Sequence, residues 1–304
     1  MLTVASLTRT ELEARLAGPG LPVRTGAFVS RIHSPLRHVA DGIELLYGAY
    51  PLLGEDSFAD FDVGLRPSGG LRRWYRPQVN FDLDGLVPFE PLPQAHAFPM
   101  LEWGLNWCIS TRAHAYLMIH AAVVERDGLA AILPAPPGSG KSTLCAALVH
   151  RGWRLLSDEL ALFRPEDGLL VPVPRPVSLK NRSIDVVRGF VDGAVLSRPV
   201  ANTTKGTVAH LKAPADSIAR AAETARPAWI VFPKYEAGAA TALTPIPRAR
   251  AFFRVADNAF NYSHMGARGF ATLAGAIDGC ASYDFRYSDL DEAMAVFAAL
   301  EAPQ

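Results

Sequence analysis

Near the middle of the chain, Ala135-Pro136-Pro137-Gly138-Ser139-Gly140-Lys141-Ser142-Thr143 carries residue types in an order suited to holding a row of phosphates. This is the P-loop pattern, and the physics of each position is plain. Gly138 and Gly140 let the backbone curl so that successive N–H groups face phosphate oxygens, with Ser139 between them. A helix starting there adds the positive end of its dipole. Lys141 would reach the β- and γ-phosphates, the Ser142 hydroxyl would ligate Mg²⁺, and Thr143 would close the nucleotide-binding set. The first glycine of the pattern is replaced by Ala135, which the loop tolerates if φ stays negative there.

Two further groups have chemistry to offer. Seventeen residues after Lys141, the apolar pair Leu155-Leu156 runs into Ser157-Asp158-Glu159. Beside a nucleotide, one such carboxylate can hold Mg²⁺ while the other takes a proton from an incoming hydroxyl. An acidic pair alone fits a surface turn equally well. Fifteen residues before Ala135, His120 lies on an apolar stretch that should run beside the P-loop strand. Alone, it fits a satisfied core histidine. A phosphoryl-transfer site also needs a further cation near the γ-phosphate. Lys205, in Thr203-Thr204-Lys205-Gly206-Thr207, is the first candidate, and Lys180, in Arg175-Pro176-Val177-Ser178-Leu179-Lys180, is the second.

The elements that must position these groups follow from periodicity and punctuation. Ala113–Pro134 reads as two buried strands, Tyr116–Val124 and Leu129–Leu133, turned at Glu125-Arg126-Asp127-Gly128. A helix follows Gly140 to His150, Arg151-Gly152 ends it, and Trp153–Leu156 is a short strand. Upstream, Phe98–Thr111 is predicted helical with Leu101, Leu105 and Cys108 on one face. Pro227–Phe232 reads as a core strand and Leu290–Leu300 as a closing helix capped by Asp289. Strands alternating with helices point to an α/β domain over residues 96–304. Residues 1–95 form a separate α+β region. It has helices at Thr8–Ala17, behind a Thr8/Glu11 capping box, and at Leu36–Tyr47. Extended pieces fall near Gly26–Ile32, Phe58–Leu65 and Leu71–Phe81. The Pro-rich run 87–93 marks the junction. Trp103 and Trp107, Phe252-Phe253 and Phe260 are assigned to the core. His33, His38, His96, His114, His150, His210 and His264 carry no readable role.

The whole chain narrows the partners. Its 304 residues hold 30 basic and 30 acidic side chains, 49% hydrophobic and 20% charged residues. No global field draws it to nucleic acid or to an anionic membrane. Cys108, Cys145 and Cys280 are scattered in apolar company, which predicts reduced, buried thiols and a cytoplasmic setting. No histidine or cysteine spacing suggests zinc.

Taken jointly, Ile119-His120, Ala131-Ile132-Leu133, Gly138–Thr143, Arg151-Gly152 and Asp158-Glu159 stand at separations that resemble the HPr kinase/phosphorylase family, in its HPr-kinase-related branch. The resemblance covers residues 110–165 strongly and the remainder to 304 weakly. It implies a PEP carboxykinase-like P-loop kinase fold with a mixed sheet, using ATP and Mg²⁺, and an oligomer. Asp158 would be the general base, Glu159 with Ser142 would hold the metal, and His120 would tune Asp158 or the phosphoryl oxygens. The expected acceptor is a serine or threonine hydroxyl of a peptide or small protein. The alternatives are a kinase for a free hydroxyl compound such as an amino acid, and a nucleotide-binding regulator without transfer. The departures are Ala121 for the family's glycine, Glu159 for its aspartate, and Val186 for an acid beside Val187-Arg188-Gly189. They argue against phosphorolysis. The N-terminal region is expected to contribute to acceptor binding.

Overall fold

The computed structural model describes residues 2–303. Its architecture is mixed α/β, and among the described residues no helix is long and apolar enough to cross a membrane. The chain opens with α1 (Arg9–Ala17), whose N-terminus carries the expected capping box between Thr8 and Glu11. It continues through β1 (Leu21–Thr25), β2 (Phe28–His33), α2 (Arg37–Tyr47), β3 (Phe61–Pro67), β4 (Gln78–Leu83) and β5 (Leu92–Pro93). These strands form one sheet in the order β1-β2-β3-β4-β5, parallel only between β2 and β3. The stretch expected as a strand over Leu71–Phe81 is extended only from Gln78. Before it the chain makes a one-turn helix at Gly70–Arg73, where Leu71 stands 85% exposed. Its apolar residues have no face of a sheet to fill.

The long helix α3 (Ala97–Arg112) buries Leu101, Leu105 and Cys108 as its spacing predicts. Next come β6 (Leu117–Arg126), β7 (Leu129–Pro134), α4 (Lys141–Val149), β8 (Arg154–Ser157), β9 (Leu160–Phe163), β10 (Leu170–Val171), β11 (Val177–Lys180) and α5 (Arg182–Phe190). The chain then runs through β12 (Val200–Thr203), β13 (Gly206–Leu211), α6 (Ala215–Ala219), β14 (Arg226–Tyr235) and β15 (Ala242–Pro245). It ends with α7 (Arg248–Ala256), α8 (Tyr262–Asp278), β16 (Ala281–Tyr287) and α9 (Leu290–Ala298), the last capped by Asp289.

The central sheet has the order β10-β9-β6-β7-β14-β16-β15, with β8 also on β6. β7 lies antiparallel to β6 and parallel to β14, so strand directions are mixed around the P-loop strand. Because β6 and β7 are covered on both faces, they read as near-continuous apolar runs instead of alternating ones. A small antiparallel sheet, β11-β13-β12, stands beside them. One hydrophobic core extends from Val4 through Leu101 and Leu144 to Phe297. All three cysteines are free and buried. Phe253 and Phe260, expected in the core, are instead 67% and 49% exposed. Phe253 lies on α7, whose buried residues are Ala251 and Val255, and Phe260 lies beyond its end.

Candidate active site

β7 delivers the chain into the phosphate loop, and α4 begins at Lys141. Gly138 and Gly140 take φ of +86° and +88°, the left-handed region that glycine occupies without strain. Gly140 is also sterically required. A Cβ there would fall 2.4 Å from the Tyr287 hydroxyl and 2.9 Å from Tyr235 Cβ. That hydroxyl donates to the Gly140 carbonyl at 3.1 Å, and the Tyr235 N–H donates to the Ser139 carbonyl at 2.9 Å. The loop is therefore held by its neighbours β14 and β16. Ala135 is not among the residues with positive φ and is buried, so the missing first glycine costs nothing.

The Asp158-Glu159 pair sits in the turn from β8 to β9, where the Ser157 hydroxyl accepts from the N–H groups of Glu159 and Leu160. Both strands pair with β6, which brings the turn beside His120. The Lys141 ammonium donates to His120 Nε2 at 3.0 Å, and His120 Nδ1 stands 3.4 Å from Glu159 Oε2. Lysine has no acceptor, so the bond to Nε2 places the imidazole proton on Nδ1, facing Glu159. Burial, reinforced by Lys141, Lys180 and Lys205, lowers the His120 pKa to about 4 despite the opposing pull of Glu159. The ring is neutral near pH 7.

Asp158 is 5% exposed. Its Oδ2 accepts from the Ser178 N–H on β11 at 3.0 Å, and its Oδ1 has no hydrogen-bond partner. Burial and the neighbouring Glu159 charge raise its pKa to about 6, against Lys141, the Ser178 N–H and the nearby Ser142 hydroxyl. For Glu159, burial pushes upward, but Lys141, His120, Lys180 and Lys205 together outweigh it and hold the carboxyl below its ordinary range. Adjacent acids are thus driven apart, one toward a base poised near neutrality and one toward a permanent carboxylate.

Lys205 stands in the turn between β12 and β13, its N–H donating to Thr203 Oγ1 at 3.1 Å. Its ammonium lies 4.9 Å from the centre of the Trp103 ring on α3. Lys141, Lys180 and Lys205 all favour the charged form of Glu159 and the neutral form of His120. Groups of three or more metal-ligating side chains are absent among the described residues. Mg²⁺ keeps waters and substrate phosphates and needs only one or two protein ligands. Ser142 and Glu159 can supply them.

Behind Asp158 lies a chamber that the sequence did not disclose. Glu102 and Trp103 from α3, Asp158, Arg175, Ser178 and His210 line it, with Asn106 and Glu159 at its rim. Arg175 approaches Glu102 at 3.6 Å and donates to its carbonyl oxygen at 3.1 Å, while Tyr47 donates to Glu102 Oε1 at 2.6 Å. His210 is held neutral by burial and by Arg175, with a pKa near 3. The one legible hint was Glu102, an isolated acid inside the apolar run of α3. Trp103, read as core, is half-buried with its ring under Lys205.

No family model matches the chain, and no curated protein matches it. Among solved structures it is similar to the HPr(Ser) kinase/phosphatase of Coxiella burnetii, at 12% sequence identity over 60% of this chain and 91% of that one, with a TM-score of 0.27. A likeness at that level is no basis for a role. The chemistry rests on the site itself.

Proposed function

We propose that the chain is an ATP- and Mg²⁺-dependent kinase that transfers the γ-phosphoryl group to an alcohol hydroxyl. The observation that carries this reading is the unpartnered Asp158 Oδ1, buried beside the Lys141 and Ser142 end of a phosphate loop. A module that only binds nucleotide has no use for a base there. In this reading the Gly138–Thr143 backbone and Lys141 hold the triphosphate, and the bond to His120 leaves two of the three Lys141 N–H groups for its oxygens. Ser142 and Glu159 would hold Mg²⁺, which would neutralise phosphate charge there. Asp158 receives the acceptor's proton. Lys205, or Lys180 as the second candidate, supplies the further positive charge at the γ-phosphate, and neutral His120 keeps Lys141 and Glu159 in register. The PEP carboxykinase-like arrangement implied by the sequence resemblance belongs to the same proposal.

The acceptor expected from that resemblance is a serine or threonine of a peptide or small protein. The polar chamber favours a second reading, a small free acceptor. For either, Asp158→Asn should retain ATP affinity within about threefold and lose phosphoryl transfer by at least about 100-fold. Equal transfer by the variant, measured with labelled ATP, would remove Asp158 from the mechanism.

A further inference from the structure

Seven buried side-chain atoms on the chamber's lining lack a hydrogen-bond partner: Glu102 Oε2, Trp103 Nε1, Asp158 Oδ1, Arg175 Nη1, Ser178 Oγ and both ring nitrogens of His210. Elsewhere among the described residues such atoms are single and scattered, at Arg31, Ser68, Ser139 and Ser282. Leaving a buried polar atom unanswered costs about 1–3 kcal/mol, so seven in one place mark a spot whose partners come from outside the chain. A single water, with at most about four hydrogen bonds, cannot answer them all.

The atom types prescribe the occupant. Arg175 Nη1 and Trp103 Nε1 can only donate and require an acceptor group. The carboxylate oxygens of Glu102 and Asp158 require donors, while Ser178 and neutral His210 serve either way. Arg175 and the carboxyls of Glu102 and Asp158 line the space, with Glu159 as a third carboxyl at the rim, so an occupant carrying one negative group, one positive group and a hydroxyl matches the first three in turn.

We propose that the chamber is the acceptor site for a free hydroxy-amino acid, its carboxylate on Arg175 and Trp103, its ammonium on Glu102 and its side-chain hydroxyl on Asp158. The inference rests on the kinase reading. The hydroxyl oxygen forms a bond to the γ-phosphorus, and the bond from that phosphorus to the β–γ bridging oxygen breaks. ADP leaves with the electron pair, and the hydroxyl proton passes to Asp158. A serine inside a peptide lacks both end charges and leaves Arg175 Nη1 and Glu102 Oε2 without hydrogen bonds, though Arg175 Nη2 still faces Glu102 at 3.6 Å. The chamber as it stands is tight, with about 10 Å³ free, room for roughly one water. Entry therefore requires the mouth to yield. The half-buried lining residues Trp103, Asn106 and Glu159 mark that mouth.

The test offers L-serine, L-threonine, N-acetyl-serinamide and a serine-containing peptide to the full chain with ATP and Mg²⁺, and follows phosphorylated products by mass spectrometry. A free amino acid should exceed both the capped amide and the peptide in kcat/KM by at least about 100-fold, since a site built around polar groups rejects analogues that lack them. Equal or better transfer to the amide or peptide overturns the proposal and leaves the kinase reading standing. Calorimetry separates the two claims. L-serine or L-threonine should bind the native chain with a non-hydrolysable ATP analogue present. Trp103→Phe, which keeps an aromatic face under Lys205 but loses the pyrrole ring and its N–H, should weaken that binding fivefold or more. Absence of amino-acid binding, or an unchanged affinity in the variant, overturns the chamber assignment. Binding without any phosphoryl transfer supports the chamber and overturns the kinase reading.

Discussion

The two neighbouring acids are the sharpest physical feature at the scale of single residues. Asp158 carries a folded-state pKa of about 6 against an ordinary 3.8, because burial and Glu159 disfavour its charge. Transfer should therefore rise with pH through about 6 and level off above it, as the base loses its proton; a pH–rate profile of kcat/KM checks this. Stability runs the other way. The folded chain holds this proton more tightly than the unfolded chain, so folding weakens as pH rises from about 4 to about 6. Above that window the ionised carboxyl costs on the order of 2–3 kcal/mol. Asp158→Asn should accordingly melt a few degrees higher than the native chain at pH 7.5, and the gain should vanish near pH 4. His120 adds the opposite slope. Its lowered pKa keeps it neutral in the folded chain, so its contribution is lost as pH falls from about 6.5 toward 4.

The phosphate loop separates two glycines that look equivalent in sequence. At Gly138 nothing lies within 4 Å of an added Cβ, so Gly138→Ala meets only the left-handed φ, at about 1–2 kcal/mol. Gly140→Ala adds a collision with the Tyr287 hydroxyl that clamps the loop. It should melt lower than Gly138→Ala and bind nucleotide at least about tenfold more weakly, and melting curves with nucleotide titrations distinguish the pair. The strand–loop–helix unit around these glycines was legible because its signals are local: continuous apolar runs, fixed glycine spacing and a helix start. So were the α3 face and the Asp289 cap. The turn at Asp158-Glu159 was legible as a strand end, but not the return strand β9 that fixes it against His120. Leu71–Phe81 was misread because Leu71 sits on an exposed one-turn helix and Trp74 and Tyr75 follow it in the open, where β-propensity has no packing surface to express.

At the scale of the whole molecule, the chamber was illegible because its members come together only through tertiary structure. Tyr47 meets Glu102 across 55 residues, and Glu102 meets Arg175 across 73. No spacing rule connects them. The same chain of contacts ties α2 of the N-terminal region to the segment that carries Ser178, the residue whose N–H holds Asp158. Removing one partner of a buried ion pair costs about 3–5 kcal/mol, whereas replacing both can be close to neutral. Arg175→Met should thus destabilise the fold by that amount in urea titrations, and the double variant Glu102→Gln/Arg175→Met should recover part of the loss. An additive double variant would show that the pair is not coupled.

Lys205 resting 4.9 Å above the Trp103 ring gives the protein an optical signal of its own. An ammonium over an indole perturbs its emission, and a γ-phosphate that draws Lys205 away would lift that perturbation. Nucleotide arrival should be visible as a change in tryptophan fluorescence, although the chain carries five tryptophans. The change should be absent with ADP and absent in Trp103→Phe, which makes the resting cation a reporter of how many phosphates have come in.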